Sequence, residues 1–237
     1  MLHIWCWIHK TEFVLTDRSI KNLIFDLGGV ILDLSVDTSL KSFANLSGNE
    51  ESTVKRLYVS TPEFEFYEKG GMSDADFREF VKTLFRIDAP DESLDACWNA
   101  MLVGFPRKKL ELLETLKRTY NVYLLSNTNS IHLEHINNIL LPRVNHHSSL
   151  DSFFHRAYYS HRMKKRKPDA EIFEQVLSEG KLLPSETLFL DDNQSNVEGA
   201  AKLGIKTVHV VNPDMIFDYF SWAVIKKEFF YNSYYSS

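Results

Sequence analysis

Leu23-Ile24-Phe25-Asp26-Leu27-Gly28-Gly29-Val30-Ile31-Leu32 decides how this chain is read. The apolar run Leu23-Ile24-Phe25 has the pattern of a buried strand. It stops at a carboxylate, Asp26, and then at two glycines. A strand that carries an acid to its C-terminal end suits an open α/β sheet, where ligands lie in the crevice beyond those ends. Taken alone, the same residues also read as a strand, a capping aspartate and a turn.

The order of the pieces downstream separates these readings. Leu23 to Leu34 reads as strand, glycine turn and a second extended run ending in Asp33-Leu34. From about Val36 to Phe105 the apolar residues recur at helical spacing, as in Phe77, Phe80, Val81, Leu84 and Phe85. Ser47-Gly48-Asn49, Lys69-Gly70-Gly71 and Ala89-Pro90-Asp91 punctuate that block. It reads as about four short helices without a strong strand. Buried strands then return at Val122–Leu125, Ala157–Tyr159, Thr187–Leu190 and Lys206–Val211, alternating with helices over about 108–119, 131–141 and 171–179. Alternation of this kind implies a parallel sheet with right-handed crossovers. The fold class is α/β, a Rossmann-like parallel sheet core with an inserted α-helical subdomain. The expected division is an N-terminal extension over 1–20, a discontinuous core over 21–35 and 105–220, the helical insert over 36–104 and a C-terminal tail over 221–237.

Composition narrows the function. The chain has 237 residues and a net charge of −5, which argues against a general affinity for nucleic acid or acidic membranes. No apolar run approaches the roughly 20 residues that span a bilayer. Met1 to Ile8 is apolar and aromatic but lacks a basic n-region and a small-residue cleavage site, so it is not read as a signal peptide. Cys6 and Cys97 form no spacing motif and read as free thiols in a reducing compartment, with a cytoplasmic location expected. The basic run Arg162 to Lys167 has no second basic cluster beside it, and apart from Lys167 it reads as a solvated rim. His132, His135, His146, His147, His155 and His161 lack zinc-type spacing and read as surface residues.

Three of the strands end in polar groups: Asp26, Ser126-Asn127 and Asp191-Asp192. In a parallel sheet those ends share one edge, and Lys167, before the Pro168-Asp169 helix start, belongs to the same rim. Carboxylates packed so closely repel unless a cation bridges them. Oxygen ligands of this type suit Mg²⁺. A carboxylate nucleophile beside Mg²⁺, with Ser, Asn and Lys to hold phosphate oxygens, is an apparatus for phosphoryl transfer.

Phe25-Asp26-Leu27-Gly28-Gly29-Val30, Leu125-Ser126-Asn127, Lys167-Pro168-Asp169 and Leu190-Asp191-Asp192-Asn193 to Asn196, in this order, resemble the four motifs of the haloacid dehalogenase superfamily. The likeness covers about residues 21 to 212, and the helical insert resembles that superfamily's C1-type α-helical cap. The resemblance implies roles. Asp26 would be the nucleophile and a Mg²⁺ ligand, and Gly28 would give the metal its backbone carbonyl. Ser126 and Asn127 would bind the transferring phosphoryl, and Lys167 would hold nucleophile and phosphate together. Asp192 would ligate the metal directly and Asp191 directly or through water, with Asn196 supporting their loop. Glu68 and Lys69 lie where capped members place substrate-selecting residues, though both also read as plain loop residues. The paired acids Asp191-Asp192 argue against dehalogenation.

One position departs from the phosphatase pattern. The residue two after the nucleophile, ordinarily an Asp acting as general acid and base, is Gly28. Such a group contributes about 10²–10⁴ in rate. An Asp-Leu-Gly subgroup resembling bacterial α-D-glucose-1-phosphate phosphatases shares this feature. The expectation is a Mg²⁺-dependent phosphatase acting through an aspartyl-phosphate on a small phosphorylated metabolite such as a sugar phosphate, as a monomer or homodimer. The alternative is a catalytically impaired member that binds a phosphorylated ligand or a protein partner.

Overall fold

The computed structural model describes residues 19–220. The segments expected as an N-terminal extension and a C-terminal tail, with Cys6, therefore lie almost wholly outside the described residues. Among the described residues, strands β1 (Asn22–Phe25), β4 (Asn121–Ser126), β5 (Arg156–Tyr159), β6 (Thr187–Asp191) and β7 (Lys206–His209) form a parallel sheet in the order β5-β4-β1-β6-β7. The chain first builds outward from β1 through β4 to β5, then returns to the other side of β1 for β6 and β7. That reversal opens a crevice at the C-terminal ends of β1, β4 and β6. Phe25 is in register with Leu124 on one side and Leu190 on the other, so these three strands end side by side.

The middle of each central strand is apolar because both faces are covered. Leu23 and Phe25 belong to one core, which includes Leu110, Leu113 and Leu116 of the helix Arg107–Lys117. Ile24, Tyr123, Leu125 and Phe189 belong to a second, closed by Ile172, Phe173 and Val176 of the helix Ala170–Gly180. The alternation of side chains along a strand thus survives inside a continuous hydrophobic run.

Helices α1 (Val36–Ser47), α2 (Glu51–Ser60), α3 (Glu63–Glu68), α4 (Asp74–Phe85) and α5 (Asp91–Asn99) lie between β2 (Asp33–Leu34) and β3 (Leu102–Gly104). Ser73 caps α4, its hydroxyl accepting the Asp76 N–H at 3.1 Å. Aromatic rings fill the interior of this block: Tyr67 stacks on Phe77 at 3.9 Å, and Trp98 lies 5.1 Å from Phe77 and 5.7 Å from Phe64. β2 and β3 pair antiparallel, a ribbon of two short strands through which the chain leaves and re-enters the α/β part. The sequence reading misses β3, because three residues before Phe105-Pro106 are too few to show a period.

The histidine reading needs a correction. His132 is buried, stacked on Trp98 at 4.8 Å, and its Nδ1–H donates to Asn99 Oδ1 at 2.9 Å. Burial drives its pKa down to about 3, so it is a neutral core residue. No helix among the described residues is long and apolar enough to cross a membrane.

Phe189 is fully buried in β6 and packs edge-on against Phe173 at 5.4 Å. Replacing it with alanine should lower unfolding stability by about 3–5 kcal/mol, measured by urea denaturation.

Candidate active site

Asp26 follows β1 directly, and its N–H is still bonded to the Leu190 carbonyl at 2.9 Å. Asp191 is the last residue of β6 and is fully buried. Between them lies the Lys167 ammonium, 1% exposed, donating to Asp26 Oδ1 at 2.6 Å, Asp191 Oδ2 at 2.6 Å and the Leu125 carbonyl at 2.8 Å. All three of its protons are engaged. Burial alone would lower the lysine's pKa, but the two carboxylates reverse this and leave it raised. It stays charged.

The Lys167 backbone is held as tightly as its side chain. Asn127 accepts the Lys167 N–H at 2.9 Å and donates to the Lys167 carbonyl at 3.0 Å. One N–H and one lone pair of the Asn127 amide are thus engaged by the loop that carries the lysine, and its second N–H is the one able to make the phosphoryl contact expected from the sequence. Ser126 is buried beside it, and its hydroxyl has only a 3.5 Å contact with the Asn127 carbonyl, which leaves it able to turn toward a ligand.

Asp191 is likewise held from several sides. Its Oδ1 accepts from the Asn193 N–H at 2.8 Å, and the Asn196 amide reaches both oxygens at 3.0 and 3.1 Å. Asp192 is the more exposed member of the pair. The carboxylates of Asp26, Asp191 and Asp192 each offer an oxygen within 4.8 Å of the others. Burial pushes the Asp26 pKa up to about 7; Lys167 opposes this, and Asp191 and Asp192 add to it. Burial and the same neighbour, Asp191, raise Asp192. Three acids around one lysine leave net negative charge in a dry place, the condition a hard divalent cation relieves.

The two glycines after Asp26 act through space. Gly29 has φ +72°, and a Cβ there would lie 2.2 Å from Asp192 Oδ2. Only glycine allows the first-motif loop to approach that carboxylate so closely. Gly28 has no such backbone requirement, but a Cβ there would lie 2.3 Å from Leu34 Cδ1. A side chain at 28 would therefore meet the end of the Leu34 side chain, which is 40% exposed and has room to turn away. The Gly28-Gly29 doublet was visible in the sequence; the role of Leu34 carried no signal.

Glu68 and Lys69 are both ion-paired to the loop around Lys167. Glu68 Oε2 lies 3.2 Å from Arg166 Nη2, and Lys69 Nζ lies 2.9 Å from Asp169 Oδ2. Burial raises the Glu68 pKa, and Arg166 opposes it. The basic run is thus not a solvated rim throughout, because Arg166 and Lys164 both face the helical block.

Residues 20–204 match the haloacid dehalogenase-like hydrolase family. The chain belongs to that family. It is a hydrolase on the α/β scaffold that the motifs implied. A D-ribitol-5-phosphate phosphatase of Bacteroides thetaiotaomicron is 31% identical over 194 residues, 81% of this chain and 93% of that protein. A HAD family enzyme from the same organism was crystallised as an aspartate-to-alanine variant with magnesium and inorganic phosphate. It is 34% identical, with a TM-score of 0.74 over 80% of this chain and 93% of that one. An L-2-haloacid dehalogenase from Xanthobacter autotrophicus, 18% identical with a TM-score of 0.55 over 79% of this chain and 76% of that one, shares the fold alone.

The raised Asp26 pKa sets a pH test. In the metal-free protein this carboxyl holds its proton more tightly folded than unfolded. Its contribution to stability is present at acid pH and is lost as pH rises from 3.8 to about 7. Thermal melts of the metal-free protein should show this loss, and Asp26→Asn should flatten it. Adding Mg²⁺ above that window should raise the melting temperature of the parent far more than that of the variant.

Proposed function

We propose that this hydrolase is a Mg²⁺-dependent phosphomonoesterase acting on a small phosphorylated sugar or sugar alcohol. The observation that carries this reading is the Lys167 ammonium wedged at 2.6 Å from both Asp26 and Asp191, with Asp192 completing the acidic cluster. The donor set is all oxygen and carboxylate-rich, which fits Mg²⁺. Asp26, the Gly28 carbonyl and Asp192 would hold the ion, with Asp191 reaching it directly or through water. When bound, Mg²⁺ supplies charge neutralisation that lets one anion approach another.

Asp26 then attacks phosphorus through one carboxylate oxygen while Lys167 holds the other at Oδ1. The bond from phosphorus to the leaving oxygen breaks, giving an aspartyl-phosphate and an alkoxide that must take up a proton. Water attacks the phosphorus of the aspartyl-phosphate, the bond to Asp26 breaks, and inorganic phosphate leaves with the carboxylate restored. Ser126 offers its hydroxyl to a phosphoryl oxygen. Lys167 acts mainly through its charge, since all three of its donors are already engaged.

The substrate class draws on the relatives. Similarity to a D-ribitol-5-phosphate phosphatase supports an acyclic polyol phosphate as the substrate, whereas glucose 1-phosphate rests on the Asp-Leu-Gly resemblance alone. The five helices between β2 and β3 act as a cap over the small substrate. The impaired-binder alternative is weaker, because mere binding does not require Asp26, Lys167, Asp191 and Asp192 in one charge-matched cluster.

Phosphate release over a panel of sugar and polyol phosphates, with and without Mg²⁺, tests the reading. Asp26→Asn should abolish turnover while the protein stays folded; substantial residual hydrolysis would remove Asp26 from its role. Gly28 generates a second expectation. Across simple aryl and alkyl phosphates lacking a polyol chain, log rate should rise steeply with leaving-group acidity, because no residue at 28 supplies a proton. Gly28→Asp combined with Leu34→Ala, which clears the space a side chain at 28 needs, should flatten that dependence. A flat dependence in the parent would show that another group delivers the proton.

A further inference from the structure

Segment 65–70, at the end of α3, grips the loop that carries Lys167 at several points. Arg166 Nη1 lies 3.0 Å from Glu65 Oε1, and Arg166 Nη2 lies 3.2 Å from Glu68 Oε2. Lys69 pairs with Asp169 at 2.9 Å, and Lys164 donates to the Gly70 carbonyl. Ser160 accepts the Thr128 N–H at 2.9 Å and donates to the Glu68 carbonyl at 2.6 Å. These contacts fall on both flanks of Lys167, at 164, 166 and 169. They also reach Thr128, two residues beyond Ser126.

The backbone is shaped for this approach. Gly70 has φ +65°, and a Cβ there would lie 2.2 Å from the His161 carbonyl oxygen and 2.7 Å from Lys164 Nζ. Any side chain at 70 would push the segment off the loop. Charge pairing and the absence of a side chain are independent features, and both serve the same contact. From the core side, Asn127 holds only the Lys167 main chain. The outer side of the loop is held by the helical block.

We propose that Arg166, with Glu65, Glu68 and Gly70, forms a latch through which docking of the helical block fixes Lys167 between Asp26 and Asp191. Arg166 is a positioning residue in this account: it acts through its neighbour and does not touch the reacting atoms. Docking of the cap and assembly of the charged centre are then one event. Glu68 and Lys69 serve the lysine loop and do not read the substrate. The assignment rests on the phosphatase reading only for its kinetic test.

Arg166→Gln and Gly70→Ala should each lower kcat by about 10- to 100-fold, the scale on which small misplacements of a catalytic group act. The loss should be equal for an aryl phosphate and for ribitol 5-phosphate, with KM little changed. Arg166→Lys should recover part of the loss, and Arg166→Glu with Glu68→Arg more than Arg166→Glu alone. Hydrogen exchange gives a readout that needs no activity: the amides of 164–167 and 169 should exchange faster in both variants while those of β1 and β6 keep their protection. If the parent has no turnover but the loop loosens as described, the latch stands and the phosphatase reading falls. A rise in KM at constant kcat, or a loss confined to ribitol 5-phosphate, would mean that the segment binds substrate and would overturn the latch. A loss confined to alkyl esters in Glu68→Gln would make Glu68 a proton donor and overturn it too. Unchanged exchange at 164–169 would do the same.

Discussion

A buried ammonium between two carboxylates is the constraint on which this molecule is arranged. Taking three charges out of water is expensive, and their mutual attraction offsets the cost only with good geometry and no unused donors. Lys167 meets that condition with contacts at 2.6, 2.6 and 2.8 Å. Its position then dictates much else. Asp26 and Asp191 have to end adjacent strands, which requires β1 beside β6. The lysine has to arrive from a loop outside the sheet, so Asn127 ties that loop to the end of β4 through both faces of its amide. The carboxylates of Asp26, Asp191 and Asp192 outnumber the lysine, a surplus that a bound cation would relieve.

Empty space is a second determinant, and it works at single atoms. Gly29 is needed because a carboxylate oxygen already sits where its side chain would be. Gly28 is different, since its backbone would accept other residues and the obstacle is a leucine. An acid at 28 and the leucine at 34 compete for one space, which a turn of the exposed Leu34 side chain or a smaller residue at 34 would free.

The strand ends were legible in the sequence because they combine two strong signals, an apolar run and an abrupt polar stop. Asp26, Ser126 and Asp191 each show that signature, and the parallel sheet follows from the alternation around them, although its strand order does not. The helical block was legible as a whole from its apolar spacing, although it holds five helices between β2 and β3. What could not be read depends on how the chain folds back on itself. Leu34 meets Gly28 because the turn after Asp26 closes with the Leu32 N–H on the Leu27 carbonyl at 2.8 Å. His132 looks like its surface neighbours in sequence and is buried only because Trp98 and Asn99 come to it from another helix. Arg166 looks like part of a basic rim until Glu65 and Glu68 are placed opposite it. Charge runs carry no information about partners that lie a hundred residues away.

The central place of β1 has a consequence for how the chain comes into being. Asn22 is in register with Asn121 on one side and Thr187 on the other. Among the described residues the first strand made therefore waits for its second neighbour, β6, which emerges far later in the chain than β4. Sequence-distant strand pairing of this kind is slow, and its unpaired edge is exposed to aggregation until the partner arrives. Until then Leu23, Ile24 and Phe25 have one neighbouring strand at most, and Asp26 lacks Asp191 and Asp192. A ribosome-bound chain that lacks β6 therefore cannot assemble the cluster of three carboxylates, whatever the rest of the fold has achieved.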